Sequence, residues 1–273
     1  MKKRIGYIQF APVLGDVAAN RDRIAAVLDG VSADLVVLPE LAFTGYCMRN
    51  RETVLSLAEE PGDSRSVDLL SDLCREGGFH AVAGFAERAG DRTYNSAVLV
   101  GPEGLVAVYR KIHLFGFEGR LFDPGPEPPT VCDIGGLKVG MMICFDWFFP
   151  ETARLLALAG ADVIAHPANL VLDWCQRSMV TRCLENNVFA VTANRYGSEK
   201  WGTTDLIFTG GSQITAPRAA VLASAPAEAD QTCIVEIDPE TARDKNLNSA
   251  NHLMGDRRPD LYGALTEAKE GVA

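Results

Sequence analysis

The sequence predicts an α/β fold in which two mixed β-sheets pack face to face as a sandwich with helices outside. Strand-like runs and amphipathic helix patterns alternate from end to end with no long linker or low-complexity tract. Three consecutive strand-like runs, FHAVAGFAER, TYNSAVLVG and LVAVYRKIHL, are separated only by short turns at residues 89–92 and 101–104. Connections this short join antiparallel neighbours, because a parallel crossover needs a dozen or more residues, so the sheet is mixed. The opening theme also recurs: SADLVVLPE (32–40) is echoed by GADVIAHPAN (160–169).

The first strand is RIGYIQF (4–10), followed by a helix over 17–30 that puts Ile24, Val27 and Leu28 on one face, and by a strand DLVVLPE (34–40). A second helix opens at Ser64, an N-cap residue type, and runs through Val67, Leu70, Leu73 and Cys74 to a Gly77-Gly78 stop. The three hairpin-linked strands come next. After the bend PGPEPP (124–129), LKVGMMIC is a strand, PETARLLALAG a helix and ADVIAHPAN a strand. A helix over 174–187 leads to VFAVTANR, then strands near 205–208, 212–215 and 232–237, and a polar tail. The whole chain, 1–273, reads as one domain.

Hydrophobic content of 47% beside 23% charged residues is that of a globular protein, and no apolar run reaches the eighteen or so residues that would span a bilayer. The basic opening MKKR resembles a signal peptide, but Gln9 and Pro12 break the apolar stretch behind it. The net charge of −10, with basic residues scattered, argues against nucleic acid as a partner. Seven cysteines at irregular spacing, without a C-x-x-C pair or histidines at ligand offsets, read as free thiols in a reducing cytoplasm and give no metal site. No G-x-G-x-x-G or Walker loop points to a nucleotide.

In α/β folds ligands collect at the carboxyl ends of strands. Glu40 ends LVVLPE, Lys111 ends LVAVYRK and Cys144 ends VGMMIC. Singly, each has a bland reading: a turn carboxylate, a solvated lysine, a small buried thiol. Together they supply what hydrolysis of an unactivated C–N bond requires. A thiol of reference pKa about 8.5 needs a base or a cationic neighbour to become a nucleophile. The tetrahedral intermediate needs a donor for its oxyanion, and the leaving nitrogen needs a proton.

The segments LVVLPELAFTGY (35–46), YRKIHLF (109–115) and GMMICFDWFFPE (140–151) resemble the three signatures of the nitrilase superfamily of carbon–nitrogen hydrolases, and the resemblance runs nearly the whole chain. It implies a four-layer α-β-β-α sandwich with Glu40 as general base, Lys111 as oxyanion stabiliser and Cys144 as nucleophile. A second glutamate after the lysine belongs to such a site; Glu118 fits its distance, with Glu127 between prolines as the alternative. A thioester intermediate is implied, with no metal or organic cofactor. Family members pair through exposed helices, which makes a homodimer or higher homo-oligomer the expected assembly and 174–187 and the C-terminal tail its candidate interface.

His113 and His166 also lie near strand ends, so a Cys–His pair is the rival assignment. Neither sits in a protease signature; His113 reads as a hydrogen-bonding neighbour of the site and His166 as an ordered strand-end residue. Glu151 after Pro150 suits a helix start, and Asp146 suits a turn around the cysteine. Phe145 offers a backbone N–H to an oxyanion, while Trp147, Asn169 and Trp174 are candidates for substrate contact. Family nitrilases show Cys-Trp-Glu where this chain has Cys144-Phe145-Asp146, and carbamoyl amino acid hydrolases place arginines where Trp147 and Phe148 stand. A small, mainly aliphatic amide is therefore the leading substrate, with an N-carbamoyl amine such as carbamoylputrescine and a nitrile as alternatives. A non-catalytic scaffold of the same fold is the reading from a different class.

Overall fold

The computed structural model describes residues 1–267. The first half runs β1 (Lys3–Gln9), α1 (Val17–Leu28), β2 (Leu35–Val37), α2 (Arg51–Leu57), α3 (Arg65–Gly77), β3 (His80–Ala89), β4 (Arg92–Gly101) and β5 (Gly104–Arg110). The second runs β6 (Val131–Asp133), β7 (Lys138–Met141), α4 (Pro150–Leu158), β8 (Val163–Pro167), α5 (Cys175–Asn186), β9 (Phe189–Ala193), β10 (Tyr196–Trp201), β11 (Thr204–Thr209), β12 (Gln213–Thr215), β13 (Val221–Ser224), β14 (Gln231–Ile237) and α6 (Glu240–Arg243). Among these residues no helix is long and apolar enough to cross a membrane, and all seven cysteines are unpaired.

Two six-stranded sheets form, ordered β14-β1-β2-β3-β4-β5 and β13-β12-β9-β8-β7-β6, with β10 and β11 as a separate hairpin. Each sheet has a parallel core, β1-β2-β3 in one and β7-β8-β9 in the other, flanked by antiparallel strands. The recurrence of SADLVVLPE in GADVIAHPAN is thus topological: β2 and β8 are the middle strands of equivalent β-α-β-α-β units. Alternation along the strands makes the sandwich. Ile5, Tyr7, Leu35, Val37, Val82 and Leu99 face Val139, Met141, Val163, Ala165 and Val191 between the sheets. Ile8, Val36, Ala81 and Val98 point the other way, onto Ile24 and Leu28 of α1 and Val67 and Leu70 of α3. On the far side, Ile164 and Ala190 meet Leu156 of α4 and Met179 of α5. Each such aliphatic side chain contributes roughly 1.5–3 kcal/mol when withdrawn from water.

Local signals hold where they were expected. Ser64 Oγ accepts the Val67 N–H at 3.1 Å, and Gly78, at φ +67°, closes the same helix in the left-handed region. Glu151 lies in the first turn of α4 behind Pro150. Three expectations shift. The 17–30 helix stops at Leu28, because Asp29 turns extended (ψ 129°). The 34–40 strand pairs as β2 over Leu35–Val37 only, although Leu38 N still reaches Val82 O at 2.8 Å. Helices α2 and α6 and strands β6, β10 and β13 are additional.

Candidate active site

The two parallel cores direct their carboxyl ends to one place. Glu40 follows β2, Cys144 follows β7, Asn169 follows β8, and Lys111 follows β5, which runs in the same sense as β3. Glu40 is seated by a close approach of β3: Gly84 N donates to Pro39 O and Ala42 N to Gly84 O, both at 3.0 Å. A Cβ on Gly84 would overlap the Glu40 Cα and the Leu41 N, backbone atoms that cannot swing aside. Gly84→Ala is therefore expected to displace Glu40, costing about 1–3 kcal/mol of stability and on the order of 100-fold in kcat. Paired melting and turnover measurements check it; unchanged turnover would refute this role for the glycine.

Lys111 Nζ lies 2.7 Å from Glu40 Oε1 and 2.8 Å from Glu118 Oε1, and all three side chains are withdrawn from solvent. Asn95 Nδ2 also donates to Glu40 Oε1, at 2.7 Å, whereas Glu40 Oε2 has no partner. Tyr46 OH donates to Glu118 Oε1 at 2.6 Å and Phe115 N to Oε2 at 3.2 Å. Behind Tyr46, the buried Arg195–Glu199 pair holds the Tyr46 and Cys47 N–H groups on Glu199 Oε2 at 3.0 and 2.7 Å. Burial opposes the charge of Lys111, but Glu118 and Glu40 outweigh it and raise its pKa. Burial also raises the Glu118 carboxyl, with Lys111 pulling the other way.

Cys144 opens a 3-10 turn, Cys144–Phe148, with φ at +40°. A non-glycine residue there is strained by about 1–3 kcal/mol, as at the sharp strand-to-helix turns that present nucleophiles elsewhere. Asp146 holds the turn. Its Oδ2 accepts Ile143 N at 2.9 Å and Tyr109 OH at 2.8 Å, and its Oδ1 takes His113 N at 3.1 Å and Nδ1 at 2.8 Å. Burial, reinforced by Glu40, pushes the Cys144 thiol well above its ordinary range, with Lys111 acting against both. Burial thus favours the protonated sulfur, and a nucleophilic role for it would need a base within reach.

Both nearby histidines are engaged elsewhere. His113 stacks on Phe149, ring centroids 3.7 Å apart, and turns Nδ1 to Asp146. His166 is buried, with Nε2 3.0 Å from the Cys144 carbonyl oxygen and Nδ1 3.0 Å from Thr192 Oγ1; burial lowers its pKa to about 4. It is a neutral clamp on the backbone of the turn. Glu127 is exposed beside Arg110 and Tyr109 at a different cavity, so Glu118 alone of the two glutamates joins Lys111.

A cavity of about 250 Å³ opens at Cys144, and Phe145, Trp147, Asn169 and Trp174 line it together with Phe115, Phe148 and residues 170–172. No lining residue carries a formal charge. Asn169 Nδ2 donates to the Glu40 main-chain oxygen at 2.9 Å, tying the two sheets together at the site. Sequence reasoning passed over Asn95, Gly84 and the Arg195–Glu199 pair. Asn95 left a trace, as a polar residue inside the apolar strand TYNSAVLVG.

The arrangement can hold an uncharged carbonyl compound at a thiol, with a buried carboxylate–ammonium–carboxylate cluster beside it. Comparison with known proteins agrees. The family model for carbon-nitrogen hydrolases matches residues 4–246. A protein of Pyrococcus abyssi named nitrilase is 45% identical over 262 residues, covering 95% of this chain and 98% of its own. An (R)-stereoselective amidase of a Pseudomonas species is 34% identical, covering 98% and 96%. Among solved structures, a mutant of the amidase from a Nesterenkonia species, with the acetamide moiety of fluoroacetamide covalently added at its active-site cysteine, superposes with a TM-score of 0.78 at 25% identity over 96% of each chain. Fold and these likenesses together place the chain in the nitrilase superfamily of carbon–nitrogen hydrolases.

Proposed function

We propose that this chain hydrolyses a small, neutral, mainly aliphatic primary amide to a carboxylic acid and ammonia through a thioester on Cys144. The observation that carries this reading is a buried thiol set between a buried Glu40–Lys111–Glu118 cluster and a cavity wall without formal charge. Cys144 Sγ bonds to the amide carbon as its proton passes to Glu40. Oε2 suits that proton, since Asn95 and Lys111 both donate to Oε1. The C=O electron pair moves onto oxygen. An ammonium has three N–H donors, and two of those on Lys111 are engaged by Glu40 and Glu118; the third serves the oxyanion, with the Phe145 backbone N–H. Collapse breaks the C–N bond as the nitrogen takes the proton from Glu40, and ammonia leaves.

Water then gives a proton to Glu40 and its oxygen attacks the thioester carbon. The C–S bond breaks, the proton returns to sulfur and the acid departs. Glu118 holds Lys111 and orients the incoming water. The cycle balances with water as the only co-reactant. The cysteine adduct in the Nesterenkonia amidase supports the covalent step. A nitrile is the second reading, favoured by the Pyrococcus relative named nitrilase. A cationic carbamoyl amine fits less well, because no carboxylate lines the cavity.

Ammonia release across short amides, matching nitriles and N-carbamoylputrescine tests this. The highest kcat/KM is expected for a neutral amide; release from nitriles alone would favour the second reading, and release from none would sink both. A homodimer or higher homo-oligomer is the proposed assembly. The expected pairing stretch, 174–187, is α5 with its flanks and leaves Leu184 exposed, and the C-terminal tail runs on beyond the described residues at 268–273. Mass in solution decides it.

A further inference from the structure

We infer that Asn169 is the residue by which this chain tells a carboxamide from a nitrile, its Oδ1 accepting an N–H of the substrate's –CONH2 group. The inference rests on the amidase reading above and extends it to recognition of the nitrogen that leaves. Asn169 is 3% exposed and lines the cavity beside Cys144. Its Nδ2 is committed to the Glu40 main-chain oxygen, an acceptor only, and that bond fixes which end of the side chain is nitrogen. Oδ1 is the remaining polar end and has no partner.

The same deficit recurs around it. Among the described residues, Glu40 Oε2, Asn95 Oδ1 and Asn169 Oδ1 are buried and unpartnered, and all three accept hydrogen bonds. The cavity wall beyond them is largely hydrocarbon, from Phe115, Phe145, Trp147 and Trp174, and none of its groups bonds Oδ1. A site with unfilled acceptors is complementary to a group that brings N–H donors. A primary carboxamide brings two. A nitrile brings none, only a lone pair, so its entry leaves Oδ1 desolvated and unmade. Sites built to bond a polar hydrogen reject analogues that lack it far more strongly than apolar walls reject a change of size.

Asn169 also ties Glu40 to β8, so loss of turnover alone would not separate recognition from scaffolding. Binding to shape-matched ligands does. In the Cys144→Ala protein, where no covalent step intervenes, dissociation constants are measured by calorimetry or ligand-observed NMR for butanamide, pentan-2-one and butyronitrile. Pentan-2-one has the outline and carbonyl of butanamide, with CH3 in place of NH2. Butanamide is expected to bind roughly ten- to a hundredfold more tightly than either, the range for one unmade hydrogen bond at a buried acceptor. Asn169→Leu in the same background is expected to remove that preference.

Butanamide binding that is absent, or no tighter than pentan-2-one with Asn169 in place, overturns the inference without requiring any Asn169 variant to fold. Equal weakening of all three ligands by Asn169→Leu overturns it too, leaving a clamp and nothing more. The amidase reading fails on a different measurement, ammonia release by the unaltered enzyme, so the two failures are distinguishable.

Discussion

Cys144→Ala is expected to lower ammonia release by roughly 10⁵-fold or more, since removal of a serine nucleophile in a comparable covalent site costs about 10⁶ in kcat. Folding stability is expected to change by only about 1 kcal/mol, the transfer cost of one buried atom. Alanine at φ +40° is as strained as cysteine, so the turn keeps its conformation and its strain. The combination of lost turnover with retained melting separates a reactive sulfur from a packing one. Cys175→Ala and Cys183→Ala are the controls: both thiols are buried in α5 away from the cavity, and their loss should lower the melting temperature while leaving most turnover. Ammonia assays and thermal unfolding on the same preparations check the set. Substantial turnover by Cys144→Ala would end the covalent reading.

Lys111→Met carries the second large effect, and it falls on both activity and stability. Loss of one oxyanion donor typically costs about 10²–10³ in kcat. Removing the ammonium also leaves two buried carboxylates without the cation that now bonds both, and breaking a buried pair from one side costs roughly 3–5 kcal/mol. For a chain of this length that is a fall on the order of 10 °C in melting temperature. The pH dependence has a definite sign. Glu118 already titrates above its unfolded value of about 4.3. A group so raised contributes stability that is fully present below the unfolded value and is lost as pH rises through the folded one.

Without Lys111 the folded value rises further, so the deficit of Lys111→Met relative to the parent widens from pH 5 towards pH 8. Lys111 itself is raised, and what it contributes is lost only above its unfolded value of about 10.4, so the parent owes no slope to it in this window. Adding Glu118→Gln to Lys111→Met should restore part of the melting temperature and flatten the slope without restoring turnover. Melting curves from pH 5 to pH 8 check this; superimposable curves for parent and Lys111→Met would mean that the cluster does not bear on stability.

Much of this arrangement was legible because it is written locally. Glu40, Lys111 and Cys144 each end an apolar run, and strand ends in parallel sheets are where reacting groups collect. Ser64 and the Gly77-Gly78 stop bounded α3 by chemistry that acts within a few residues. The match of β2 to β8 could be read because both are buried on two faces and so appear as unbroken apolar runs. What stayed hidden is what distant residues decide. β10 buries one of its six residues and β13 none of its four, so neither shows the in–out alternation that marks a strand. Gly84 matters only through the backbone 44 residues before it that it touches, and Tyr46 only through a bond to a glutamate 72 residues away. No spacing rule encodes such pairs.

The two equivalent units do not contribute equally. Glu40, Lys111 and Glu118 come from the segment that closes at residue 118, whereas Cys144, His166 and all of the cavity wall except Phe115 come from the segment that opens at β6. Neither segment holds all of the proposed reacting groups, so the proposed chemistry arises only where the two sheets meet. An ångström of slip between the sheets would separate sulfur from base while leaving each sheet's own bonds intact, and would register in turnover well before it registered in melting.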